Sequence, residues 1–134
     1  MYQQMIFVNL AVNDVEASRK FFTDLGYPIN KQFSTEDCAC VEISDTIVAM
    51  MLSKSHYQQF TTKEIADPTK TSEALLGLSA ESRTAVDELV DKAVAAGATA
   101  GKVQDYGFMY GRAFDDLDGH TWEIIWMDPT QVEG

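Results

Sequence analysis

The sequence predicts a small α+β domain that contains two copies of a β-α-β-β-β unit. Its 134 residues fit one compact domain with a core of its own. Two amphipathic helical patterns each follow a short apolar run, and three further strand-like runs come after each of them. The second half therefore repeats the element order of the first, although the same order also suits a ferredoxin-like arrangement.

The first module is predicted over residues 1–53 and opens with an apolar run, Met5–Val12, that is too short for a core helix. A helix should follow, because Asn13 can cap it while the Glu16 side chain reaches back to the cap. Gly26 supplies the left-handed residue that often ends a helix. Three strands are then predicted, at Ile29–Phe33, Cys38–Ile43 and Thr46–Leu52.

A polar linker is expected over residues 54–71, and the second module of this single domain over residues 72–134. Its first strand falls within Glu73–Ser79, and Ser82 is the expected cap of a helix that stops at Gly97. The strands that follow are predicted at Ala98–Val103, Phe108–Phe114 and Thr121–Met127.

The charge balance argues against nucleic acid and membrane partners. The formal charge of −11 repels phosphate backbones and anionic lipid surfaces. No apolar run approaches the roughly 20 residues that cross a bilayer, and no leader pattern precedes the first strand, so we expect a cytoplasmic protein. Cys38 and Cys40 should be reduced, because two thiols on one face of a strand do not readily reach disulfide geometry. A zinc site is not expected, because it would need more soft ligands than His56 and His120 can add.

Two motifs resemble the glyoxalase/bleomycin-resistance/dioxygenase superfamily, also called the vicinal-oxygen-chelate superfamily. The run FVNLAVNDVEAS from Phe7 to Ser18, with the helix end at Gly26, looks like that family's first strand and helix. The run FDDLDGHTWEI from Phe114 to Ile124 resembles its final hairpin, although a proline is usual where Leu117 stands. The resemblance implies that mixed sheets of two βαβββ modules curl into a half-barrel around a small-molecule cavity.

The same resemblance locates the places where metal-dependent members of the superfamily hold their metal. In this sequence those places fall on Phe7, Val48, Leu75 and Glu123. Only Glu123 can bind a metal, and one carboxylate supplies at most two of the six contacts that Mg²⁺, Mn²⁺ or Fe²⁺ prefers. We therefore expect no metal cofactor at the usual place.

Glu123 is the candidate catalytic residue. Because side chains alternate along a strand, Glu123 shares one face with Thr121, while Trp122 and Trp126 share the other. The resemblance turns Glu123 inward, where desolvation disfavours its charged form and suits a general base or hydrogen-bond donor. Alternatively, Arg112 neutralises it or the strand end is wet. The cavity should also be lined by Phe7, Asn9, Val48, Met50 and Leu75.

A second candidate region runs from Asp105 to Arg112. It combines the aromatic residues Phe108 and Tyr110 with flexible glycines and the guanidinium of Arg112, which suits closure over a planar or anionic ligand. The plainer alternative is a bulged strand with ordinary core aromatics.

Two main functions follow from this pattern. The first is a protein of the bleomycin-resistance type that binds a small organic molecule without the usual metal. The alternative is a glyoxalase-like lyase or isomerase in which Glu123 transfers a proton while Arg112 or Tyr110 stabilises an oxyanion. A purely structural role stays open. Since open sheets leave edges that a second copy can cover, a homodimer is expected.

Overall fold

The computed structural model describes residues 1–131 and divides the chain into two compact modules. The first runs from Met1 to Ala66, and the second begins at Asp67. Each module holds one mixed sheet with one principal helix packed against it, so the predicted α+β class is confirmed. Within the described residues, no helix has both the length and the apolar character that a membrane crossing requires.

The first module contains a three-stranded sheet in which β3 is central. β1 runs parallel to β3, and β2 runs antiparallel to it, which gives the order β1-β3-β2. A short second helix follows the sheet within the segment predicted as a linker. The elements are β1 (Ile6–Val12), α1 (Val15–Leu25), β2 (Cys38–Glu42), β3 (Ile47–Ser53) and α2 (Lys54–Tyr57).

The two ends of the first helix are set by a side-chain cap and by a left-handed glycine. Its N-cap is Asp14, whose carboxylate accepts a hydrogen bond from the Ala17 N–H, so the prediction of Asn13 as the cap was wrong by one residue. Gly26 ends the helix with φ of 104°, as predicted, and this left-handed backbone favours a residue without a Cβ. Phe21 and Phe22 lie on the buried face of the helix.

The strand predicted at Ile29–Phe33 does not form. Only an isolated bridge joins Ile29 to Val41. The Asn30 side chain accepts hydrogen bonds from the backbone N–H groups of Gln32 at 3.0 Å and Phe33 at 3.3 Å, which turns the chain instead of extending it. The first module therefore has three strands where four were expected.

The second module has the full β-α-β-β-β order. Its sheet order is β4-β7-β6-β5, with β4 parallel to β7 and the other neighbours antiparallel. Ser82 caps the helix, as predicted, by accepting a hydrogen bond from the Ala85 N–H. The elements are β4 (Leu76–Ser79), α3 (Arg83–Ala95), β5 (Thr99–Asp105), β6 (Met109–Asp115) and β7 (Thr121–Met127).

Each module buries the sheet face that its helix covers. In the first module, Val41 and Met51 are fully buried, and in the second, Phe114, Trp122 and Ile124 are at most 3% exposed. Along β2, β3, β6 and β7, the residues that alternate with these buried residues point to the opposite face of the sheet. That opposite face carries the candidate sites.

Candidate ligand cavities

The open face of the first sheet presents six side chains in two rows across three strands. One row pairs Phe7 with Val48 and Val48 with Glu42, and the next pairs Asn9 with Met50 and Met50 with Cys40. All six line one cavity of about 850 Å³. The structure thus brings together Phe7, Asn9, Val48 and Met50, the four first-module residues predicted to line a cavity.

The remaining wall of this first-module cavity is mostly apolar. Phe33 and Met5 contribute large apolar side chains, although both are also exposed. The charged wall residues are Glu42 and Asp45, and both are acidic. Sequence reasoning missed Glu42, although its alternation with the cysteines along β2 would have placed it on the same face as Cys40.

Cys40 contributes a buried thiol to the cavity wall and is 5% exposed. Burial, and to a smaller extent the charge of Glu42, raises the pKa of this thiol. Burial also raises the pKa of Cys38, with a further contribution from Cys40. Both cysteines are free.

A second cavity, of about 380 Å³, lies on the open face of the second sheet. Glu123 lines it together with Thr121 and Ile125 from the same face of β7, while Trp122 and Ile124 are buried on the other face. The predicted orientation of the last strand is confirmed. Glu123 is half-buried, and Leu75, another predicted residue, lines the same cavity with its side chain largely exposed.

Tyr110 and Arg112 direct their side chains away from Glu123, although Arg112 contributes to the wall of the cavity that Glu123 lines. They pair with Trp126 and Ile124 in the β6–β7 register, which puts their side chains on the helix-covered face. Consequently, the expectation that either residue stabilises an oxyanion beside Glu123 is wrong. The alternative in which Arg112 neutralises Glu123 is wrong as well.

The partners of Tyr110 and Arg112 are acidic residues of α3. The Tyr110 hydroxyl donates to Asp87 at 2.6 Å, and the Arg112 Nη1 atom donates to Asp87 and to Asp91, each at 3.0 Å. The hydrogen bonds from Tyr110 and then Arg112 lower the pKa of Asp87. These contacts hold α3 against the helix-covered face of the second sheet.

In the segment Asp105–Arg112, Gly111 and Arg112 line the second cavity, but the aromatic residues do not enclose it. Phe108 is 47% exposed and stacks on Tyr106 with 6.5 Å between ring centroids, and neither residue lines either cavity. Arg83 binds Asp105 through two hydrogen bonds and lowers the pKa of Asp105 to about 2. The Arg83 guanidinium also lies 4.9 Å from the ring centroid of Tyr110, a cation–π distance.

The residues at the superfamily's metal positions do not fit a metal ion. Phe7 and Val48 are adjacent in the sheet, yet neither a phenyl nor an alkyl group can donate an electron pair to a cation. Leu75 is equally unsuitable, and the residue paired with Glu123 across β4 is Gly77. Glu123 remains the single donor of the four.

The tight turn before β7 is organised around the buried carboxylate of Asp116. It accepts hydrogen bonds from the backbone N–H groups of Asp118 and His120, each at 3.0 Å, and from the Trp122 indole at 3.0 Å. The His120 ring lies 3.2 Å away, and its side chain is 13% exposed. Asp116, Asp118 and His120 could converge on a cation, but these donors already occupy the oxygens of Asp116.

The N-terminal segment and the fold of the chain are similar to those of known proteins. Residues 4–44 match the family model described as bleomycin resistance protein-like N-terminal. A hypothetical protein from S. aureus is 28% identical, with a TM-score of 0.77 and 94% of each chain covered. No curated protein matches the chain significantly.

Two further solved structures share the fold at lower identity. A glyoxalase/bleomycin resistance protein/dioxygenase family enzyme from Burkholderia phytofirmans is 19% identical, with a TM-score of 0.78 over 93% of this chain and 99% of that one. A glyoxalase-related enzyme from Fulvimarina pelagi is 21% identical, with a TM-score of 0.78 over 93% of this chain and 88% of that one.

The first module has the order βαββ, with an isolated bridge where a further strand was expected, the second has the full order βαβββ, and a cavity lies on the open face of each sheet. Residues 4–44 are therefore similar to the N-terminal part of bleomycin resistance protein-like sequences, and the chain shares the fold of solved structures named as glyoxalase/bleomycin resistance/dioxygenase proteins.

His120 should titrate above the range of an unperturbed histidine. Burial lowers its pKa, but the hydrogen bond to Asp116 and the charges of Asp116 and Asp118 outweigh burial, and the net shift is upward. The stabilisation this pair provides is full below the unfolded pKa of about 6.5 and is lost as the pH rises through the folded pKa. An NMR titration of the imidazole should therefore show a midpoint above about 6.5.

The same pair should make stability depend on pH. The free energy of unfolding in urea should fall as the pH rises from below about 6.5 through the folded pKa of His120, and His120→Gln should remove most of that fall. His56→Gln is the matched control and should retain it. An unchanged pH dependence in His120→Gln would show that the ion pair contributes nothing to stability.

Proposed function

We propose that the protein binds a small organic molecule in the first-module cavity and needs no metal to do so. The observation that carries this proposal is the cavity of about 850 Å³, whose wall is apolar apart from a few polar groups. Volumes of this size and composition are typical of small-molecule sites. Met50 lies in the middle strand of the two rows and offers an adaptable surface to a ligand.

The side chains at the superfamily's metal positions support metal-independent binding. Phe7 and Val48 add apolar surface at the place where a metal-dependent member would have two ligands. Any affinity for the ligand should then come from apolar burial and from the polar groups at the ends of the rows.

A ligand screen in the presence of a chelator tests this proposal. We expect small aromatic compounds to raise the melting temperature of EDTA-treated protein, because a ligand at about 100 times its Kd stabilises the folded state by about 2.7 kcal/mol. Met50→Trp places a bulky ring in the middle of the cavity wall and should reduce the shift, whereas Val94→Trp, on an exposed position of α3, should keep it. Loss of every hit on chelation would overturn the metal-free part of the proposal.

A second candidate function is proton transfer by Glu123 in the second-module cavity, as in a glyoxalase-like lyase or isomerase. The half-buried carboxylate favours it, because no ion pair engages Glu123 within residues 1–131. Lys102 and Gln104 are polar residues that line this cavity and could contact a developing negative charge, whereas the Thr121 hydroxyl donates to Asp115. Lys102 and Gln104 take the place proposed from the sequence for Arg112 and Tyr110.

Exchange of protons next to a carbonyl group measures this activity directly. In D₂O with EDTA, a panel of small carbonyl compounds should lose such protons faster with the protein present, as followed by proton NMR. Glu123→Gln should slow the exchange by about 100-fold or more, the range of general-base catalysis. Glu42→Gln, a carboxylate of the other cavity, should leave the rate unchanged, and equal rates in all three proteins would exclude the reaction.

We also propose a homodimer and a cytoplasmic location. Two edge strands carry exposed apolar side chains: Ile6 and Phe7 on β1 are 56% and 57% exposed, and Val103 on β5 is 60% exposed. A second copy that covers these edges would remove that surface from water. The free thiols of Cys38 and Cys40 support a reducing compartment.

Sedimentation equilibrium should give twice the chain mass of 14.9 kDa. Ile6→Lys places a charge at the exposed edge of β1 and should shift the protein toward the monomer. Val94→Lys, on the exposed side of α3, is the control and should sediment as the wild type does. A monomer at every concentration would contradict the proposed dimer.

A further inference from the structure

The charges around the first-module cavity are all of one sign. Glu42 and Asp45 line it, and no lysine or arginine is among its lining residues. The whole chain also carries a formal charge of −11. An anionic ligand would therefore meet repulsion both at the wall and at long range, whereas a cation would be attracted.

Glu42 is the carboxylate best placed to act on a ligand. It ends the row that continues through Val48 to Phe7, and it is half-buried, whereas Asp45 is exposed at the rim. None of the ion pairs found in residues 1–131 includes Glu42. A carboxylate that is partly withdrawn from water without a countercharge is stabilised when a cation arrives.

The rest of the row fits the body of such a ligand. Neighbouring strands lie about 4.8 Å apart, so the Phe7 and Glu42 positions are separated by about 10 Å across the sheet. Val48 lies between them and Met50 in the next row, so the surface from the acid to the phenyl ring is apolar. The aromatic rings of Phe7 and Phe33 can contact an aromatic group or a second positive centre.

We propose that the first-module cavity selects a positively charged organic molecule with an aromatic or apolar body, and that Glu42 is its counter-ion. This inference rests on the proposed function. It adds the charge of the ligand and the residue that recognises this charge. Glu42 is thus a specificity-determining residue, while the apolar rows supply affinity that does not depend on charge.

Three probes of equal length test the selection by charge. They are an arylalkyl trimethylammonium ion, its neutral tert-butyl isostere and the corresponding sulfonate, each titrated calorimetrically into EDTA-treated protein. We expect the cation to bind about tenfold more tightly than the neutral compound, and the sulfonate to bind weakest. The preference should shrink at high salt, because a partly exposed ion pair is screened.

Variants separate the role of Glu42 from cavity binding in general. Glu42→Gln is nearly isosteric and should bring the cation down to the affinity of the neutral probe, whose own affinity should not change. Glu88→Gln removes an exposed carboxylate of α3 and should preserve the preference. Circular dichroism of each variant should match the wild type.

The outcomes distinguish this inference from the proposed function. Equal affinity of the wild type for the cation and the neutral compound would overturn the charge selection and leave cavity binding standing. A preference that survives in Glu42→Gln would overturn the role of Glu42. No binding of any probe at millimolar concentration would overturn both the inference and the function on which it rests.

Discussion

The alternation of side chains along a strand is the constraint on which both candidate sites depend. In each module one sheet face must be apolar because a helix covers it, and every second residue is thereby free to line the open face. On β7 this rule buries Trp122 and Ile124 and leaves Glu123 at a cavity. On β2 it buries Val41 and leaves Cys40 and Glu42 facing the cavity of the first module.

The sequence predicted those parts of the fold that follow from periodicity and from local capping. The Thr121–Met127 strand, the Ser82 cap and the stop at Gly26 need only near neighbours, and all three are confirmed. The predicted Ile29–Phe33 strand failed because a single side chain, Asn30, satisfies two backbone N–H groups and turns the chain. Hydrogen bonds from a side chain to the backbone compete with those of a sheet, and the pattern of apolar residues in the sequence does not reveal this competition.

The candidate site was predicted only in part, and for a related reason. Phe7, Asn9, Val48 and Met50 line one cavity, since the strand alternation fixes their face, but Leu75 and Glu123, which were expected in the same cavity, line the other one. The role of Arg112 could not be inferred, because its partners Asp87 and Asp91 lie more than twenty residues away on α3. A guanidinium between two acidic residues of a helix stabilises the packing of that helix, and this depends on the tertiary structure.

Cys40 has a consequence for the chemical character of the first-module cavity. A thiolate in a binding site would attack an electrophilic ligand, and the resulting alkylation of the sulfur would leave the ligand covalently attached. Burial and the nearby Glu42 raise the pKa of this thiol, so the nucleophilic form is scarce at neutral pH. The thiol is therefore a weak nucleophile at neutral pH, and a ligand of the proposed kind would not be expected to form a covalent adduct with it.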